Sequence, residues 1–203
     1  MITVGDSQSF AISFVINSIY PRVETGDEWV YGHFVLYING EQYGDISDEV
    51  SLDYCVGWVE WLLTEKFTFK NYQFEVSQKY RDLSPETIKE MMNFTTLYLV
   101  EEEDIDKHLD YARKHMDYAE KCRCLYRDTS ITHIGLTSFE EAKQVLLMMD
   151  HTLDTKRFII IQDEEDYSQK VYEHFVPTQI VSKTISDFLK KYMEEKKKFK
   201  DNR

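Results

Sequence analysis

Three cysteines and six histidines are the side chains through which this 203-residue chain could hold a transition metal. Cys122-Arg123-Cys124 leaves one residue between its thiols, where a zinc knuckle needs two to four. His108 and His115 stand seven positions apart on one predicted helix face, with Asp104 a turn before His108. Two turns is a long reach for one ion, and no HExxH pattern is present. Cys55 falls in an apolar helical pattern and reads as a small buried hydrophobe. Nucleophilic chemistry has no better footing: no GxSxG elbow occurs, and Gly40 and Gly44 flank a hairpin strand without the Lys-Ser/Thr of a phosphate loop. His33, between Gly32 and Phe34, reads as a packed or edge histidine, while His133 and His174 have no partner that spacing identifies. With 37 acids, any pairing of carboxylates can be drawn and none is informative. The expectation is therefore no catalytic residue, no metal and no cofactor. The alternative is an intracellular enzyme or small-molecule-binding protein with a pocket between sheet and helices, because a triad is assembled in space.

Charge says more. The 37 acids stand against 24 Lys and Arg, a net charge of −13. That excess argues against a nucleic-acid binder, which needs cations for phosphates. Residues 1–60 carry ten acids and one base, Arg22, a net of −9, while the other 143 residues are nearly balanced at −4. Further acidic knots are Glu101–Asp104 and Asp163–Asp166. A charge run of this kind is either a solvated face that keeps the protein soluble or a field that steers a basic partner. The aromatics interleaved with it (Trp29, Tyr31, Tyr37, Tyr43, Tyr54, Trp58 and Trp61) are core residues or, if exposed, anchors inside a charged rim. On the second reading a protein partner docks on Glu24, Asp27, Glu28, Asp45, Asp48, Glu49 and Asp53, with Trp58 or Trp61 as anchor.

The elements that must position these residues read as α+β, an N-terminal antiparallel β-meander packed with several α-helices. Phe10–Ile16 alternates as a strand, and Trp29–Ile38 alternates with apolar residues on both faces, as a twice-covered strand does. Asn39-Gly40 predicts a type I′ hairpin, with Glu41–Ile46 returning. From Ser51 the period turns helical, with Leu52, Cys55, Val56, Val59 and Leu62 on one stripe. Phe67–Val76 reads as a strand. Ser84-Pro85-Glu86 opens a helix, and Phe94–Val100 either continues it or forms a strand, the strand being preferred on its aromatic and β-branched content. Glu101–Lys121 is an amphipathic helix with Ile105, Leu109, Ala112, Met116 and Ala119 inward. A capping box at Ser138–Glu141 predicts a helix burying Phe139, Ala142, Val145, Leu146 and Met149. Arg157–Gln162 reads as a buried strand. Pro177 starts a last helix with Val181, Ile185, Phe188 and Tyr192 on one stripe, and 195–203 reads as a charged tail after a single domain over 1–194.

A chain this long buries roughly 70% of its unfolded surface, and 3 Trp, 14 Tyr and 12 Phe supply the bulk for a core. The N-terminal run is interrupted by Asp6, Ser7, Gln8, Ser9 and Ser13 and lacks a basic stretch, so no signal peptide is expected. No segment has the apolar length of a membrane helix. An odd number of cysteines suits a reducing cytoplasm rather than a disulfide framework.

Residues 9–45 resemble the opening of bacterial polymorphic-toxin immunity proteins, in particular the immunity protein 42 family. The resemblance lies in Phe10-Ala11-Ile12, Gly32-His33-Phe34 and Ile38-Asn39-Gly40, in that order, with Gly44-Asp45 where a proline-containing turn is expected. It implies a cytoplasmic, non-enzymatic inhibitor that occludes one cognate toxin. A nuclease toxin would present a basic surface, against which an acidic protein competes.

Overall fold

The computed structural model describes residues 1–22, 28–63, 80–96, 130–134, 144–164 and 168–202. Its first sheet contains β1 (Ile2–Asp6), β2 (Phe10–Pro21), β3 (Glu28–Ile38), β4 (Glu41–Tyr43) and β5 (Val50–Ser51). These run β1-β2-β3-β4, all antiparallel, with β5 also paired to β3. The alternation in β2 and β3 was visible in the sequence; β1 was not predicted, and it joins through a short turn that pairs Asp6 with Phe10. Asn39 and Gly40 take positive φ, 51° and 88°, as the type I′ hairpin requires. The return strand stops at Tyr43 rather than Ile46, because Gly44 has φ 92° and turns the chain out of the ladder. Asp45 then folds the next turn, its Oδ1 accepting from the Ser47 amide at 2.8 Å and hydroxyl at 2.7 Å. Gly32 lies where β2 bulges: a Cβ there would fall 1.8 Å from the Val15 carbonyl oxygen.

Three helices are described: α1 (Leu52–Leu63), α2 (Pro85–Thr96) and α3 (Thr178–Asp201). The stripe Val181, Ile185, Phe188 and Tyr192 is buried, as its spacing predicts. Phe188 packs edge-on against Phe14 and Phe34, with ring centroids 5.3 and 5.9 Å apart. Leu52, Val56 and Val59 of α1 join the same cluster. The helix continues through Asp201, past position 195, and Phe199 packs against the core.

The second sheet is β6 (Ser130–Ile134), β7 (Gln144–Thr152), β8 (Thr155–Asp163) and β9 (Gln169–Pro177), antiparallel in that order. Here β7 overturns the helix predicted after Ser138–Glu141. Leu146 and Met148 face the first core while Leu147 and Met149 face a second one. A five-residue apolar run suits a twice-buried strand as well as a helix, and pairing with β8 decides it: Leu147 stands opposite Ile159 and Met148 opposite Phe158. Phe158 stacks on Phe10 at 5.5 Å, which joins the two sheets in one core. On the other face, Ile159 and Ile161 pack with Ile88, Met91 and Met92 of α2. That helix starts where Ser84 predicts, Oγ accepting from the Thr87 amide at 3.1 Å. It carries through Phe94–Thr96, where a strand was expected, because extending a docked helix gains a hydrogen bond for each residue fixed. The expected strand over Phe67–Val76 and helix over Glu101–Lys121 lie outside the described residues.

Arg157 ties α2 to the sheet. Its buried guanidinium donates Nε to Glu173 Oε1 at 2.7 Å, Nη1 to the carbonyls of Tyr80 and Arg81, and Nη2 to that of Leu83 at 2.8 Å. Arg157→Met leaves three carbonyls and a carboxylate without this donor. It is expected to cost about 3 kcal/mol, read as a lower urea midpoint, with faster hydrogen exchange in α2 than in α3.

A second cluster links β4 to β9. Tyr43 donates its hydroxyl to Glu41 Oε2 at 2.8 Å and receives His174 Nε2 at 2.5 Å, with both rings buried. Burial pushes the His174 imidazole below its ordinary range, against the opposing pull of Glu41 and Glu173. The unfolded chain therefore binds the proton more readily. Stability from this site is complete above about pH 6.5 and falls as pH drops below it, by up to about 1.4 kcal/mol per unit. Urea midpoints between pH 7.5 and 5 should show this slope, and His174→Gln should remove it.

Candidate functional site

The carboxylates expected to form one docking face divide into two groups. Glu28 and Asp53 face α3. Lys200 meets Glu28 at 2.6 Å, and Lys196 lies 3.5 Å from Glu28 and 3.8 Å from Asp53. The bond from Lys200 holds the Glu28 carboxyl below its usual range, with Lys196 adding to the effect. Asp53 also accepts the Val30 amide at 2.6 Å and the Tyr192 hydroxyl at 3.4 Å. These two acids join β3, α1 and α3, and lysines from the far end of the chain offset their charge.

Asp45, Asp48 and Glu49 form the second group, in the loop between β4 and β5. Asp45 and Glu49 are exposed and Asp48 is half-buried. The loop is pinned to the sheet through β3: His33 donates Nδ1 to the Asp48 carbonyl at 2.9 Å. The Asn17 amide nitrogen, 3.0 Å from both His33 Nε2 and Glu49 Oε1, can donate one hydrogen to each. Of the two expectations, packed or edge, neither fits fully: His33 is half-buried on the central strand β3, and its work is to position this acidic loop.

Along the same face of β3, two and four residues before His33, stand Tyr31 and Trp29. Alternate residues of a strand share a face at a spacing of roughly 7 Å. Tyr20 is the register partner of Trp29. Its ring lies 6.1 Å from Tyr31 in an edge contact, and Trp29 stacks on Tyr31 at 6.4 Å. Tyr20 is 56% exposed and Trp29 41%, so this row is supported by its own rings and is open to solvent. Arg22 closes its outer end, its guanidinium carbon 3.4 Å from the centre of a Trp29 ring. The resulting surface has flat, amphipathic rings at one end and carboxylates at the other. Such a surface can bind a cationic side chain by ring face and charge together.

Of the two tryptophans expected as anchor, Trp58 is described. Trp58 is half-buried and packs against the first core, with its indole nitrogen buried and without a hydrogen-bond partner. The Trp61 side chain, Glu24 and Asp27 lie outside the described residues. Tyr43 is a core residue and Tyr54 is exposed. Sequence reasoning named Trp29 and Tyr31 among the interleaved aromatics but missed Tyr20, Asn17 and the stacking of Arg22. Tyr20 meets Trp29 through the pairing of β2 with β3, a register that no turn signal in the sequence fixes.

Among the described residues, no group of three or more His, Cys, Asp or Glu side chains is placed to hold a metal ion. Cys122, Cys124, His108 and His115 lie outside them. Cys55 packs against the core, and burial pushes its thiol up to about 12. No described helix is long and apolar enough to cross a membrane.

A family model described as immunity protein 42 matches residues 1–191. The fold is also similar to a crystal structure of CdiI from Burkholderia dolosa AUO158, at 12% identity and a TM-score of 0.45, over 94% of this chain and 99% of that one. No curated protein matches the chain.

Asn17→Ala removes both side-chain bonds from the amide that spans His33 and Glu49. The expected cost to global stability is about 1 kcal/mol or less, while amides of the loop over 45–49 exchange measurably faster. An unchanged exchange rate would show that the loop is held by other contacts.

Proposed function

The chain belongs to the immunity protein 42 family, and from that premise we propose that it binds a cognate bacterial toxin and blocks the toxin's active surface. It acts stoichiometrically, as a non-enzymatic inhibitor in the cytoplasm of the cell that carries the toxin. The contact face is the aromatic row of Tyr20, Trp29 and Tyr31 with the acidic loop of Asp45, Asp48 and Glu49. Glu24 and Asp27 stay among the proposed contacts on their charge alone. Glu28 and Asp53 hold the fold, and Trp58 packs against the core.

The observation that carries this reading is the exposure of Tyr20 and Trp29 on the sheet face that also carries His33, the residue that holds the carboxylate loop. Large rings open to water at one place on a sheet are what interface anchors look like before a partner covers them. Carboxylates next to them favour a partner with a basic surface. They act mainly on encounter rate, while the rings act mainly on residence time.

The test is to co-produce the chain with the toxin domain encoded by the neighbouring gene. Growth should be rescued and a one-to-one complex recovered. Asp45, Asp48 and Glu49 reversed together to Lys should slow association and flatten its dependence on salt. Tyr20→Ala with Trp29→Ala should speed dissociation about 30-fold, the equivalent of a 2 kcal/mol hot spot. A complex whose two rate constants survive both sets of changes would rule out this face.

A further inference from the structure

Arg22 is the one base in the first 60 residues, against ten acids, and its guanidinium stands on the exposed indole of Trp29. Its Nε is buried and has no hydrogen-bond partner among the described residues. A guanidinium nitrogen removed from water without a partner carries a desolvation cost, so the ring face is what offsets it. Trp is the strongest of the aromatic rings for a cation, and a planar guanidinium fits its face better than an ammonium does. The geometry shows a guanidinium site, filled from within the chain.

We propose that Arg22 is an internal placeholder and that an arginine of the toxin takes its place on Trp29 when the complex forms. This rests on the reading of the aromatic and acidic face as the toxin-binding surface. The exchange conserves the ring–cation contact, since one guanidinium leaves the indole as another arrives. What changes is Arg22, which is freed into water with its Nε hydrated again. The vacant indole is thus never offered to solvent, which keeps an exposed tryptophan from becoming a non-specific sticky patch. The partner feature implied is an arginine standing out from a basic surface.

Octa-arginine peptide is the probe, titrated against the full chain and followed by fluorescence polarisation of a labelled peptide. Arg22→Ala should tighten binding about two- to fivefold, the range that one exposed cation–π contact covers. Loss of a positive charge alone would also tighten it, so the same change is made in a Trp29→Ala chain, or Trp29→Leu if that folds better. There the gain should vanish. A gain of equal size without the indole reduces the effect to net charge and overturns the proposal. Weaker binding after Arg22→Ala overturns it too, because Arg22 would then be a contact itself. Octa-lysine should gain less than octa-arginine; an equal gain overturns the assignment to arginine. The cycle is repeated with the neighbouring toxin domain. A toxin domain that does not bind the native chain removes the functional reading itself. One that binds, with no tightening on Arg22→Ala, removes the placeholder alone.

Discussion

The burial of one helix face holds the molecule together. Val181, Ile185, Phe188 and Tyr192 of α3 pack against the first sheet. Each apolar side chain removed from water contributes about 1.5–3 kcal/mol. Phe188 reaches both Phe14 and Phe34, so the helix contacts the two long strands at once. Phe158 closes the same core from the second sheet through Phe10. With α3 seated, its last turns pass beneath β3, and Lys196 and Lys200 arrive at Glu28 and Asp53. The ion pairs follow from the apolar packing. Partly exposed pairs of this kind contribute little alone, but here they offset the charge of Glu28 and Asp53.

Two populations of carboxylate result, with different physical roles. Glu28 and Asp53 have lysines, a backbone amide and a tyrosine hydroxyl around them, and their field is largely cancelled nearby. Asp45, Asp48 and Glu49 stand on a loop held by Asn17 and His33. Loops carried by rigid strands present side chains in reproducible positions. The same strand, β3, carries Trp29 and Tyr31 on the face that carries His33. Rings and charges are therefore in fixed register, a property of the sheet rather than of the loop. The buried Tyr43–His174 contact and the Arg157 clamp serve the other side of the molecule, where the second sheet and α2 attach.

Local signals were legible wherever one residue type dictates one conformation. Asn39-Gly40 predicted its hairpin, Ser84-Pro85 its helix start, and the stripe in α3 its buried face. Legibility failed where two structures satisfy the same pattern. The run Val145–Met149 fits a helix face or a strand buried on both sides, and only the presence of β8 and β6 on either flank selects the strand. Phe94–Thr96 favours a strand by composition, yet a helix already docked through Ile88, Met91 and Met92 extends over it. The exposure of individual acids and rings in the first third was not legible. An excess of acid near aromatics was visible, whereas Trp58 turned inward and Tyr20 outward.

The sequence by itself determined the α+β character, the tight hairpin, the apolar face of the last helix and the sign of the charge on the first third. These depend on neighbours within a few residues, where steric and periodic rules act directly. The tertiary structure alone decided which carboxylates meet lysines, which rings remain in water and that Arg22 rests on Trp29. The partners of Glu28 and Asp53 come from the opposite end of the chain. A charge is cancelled or left standing by what lies within a few ångströms, and distance along the chain carries no information about that.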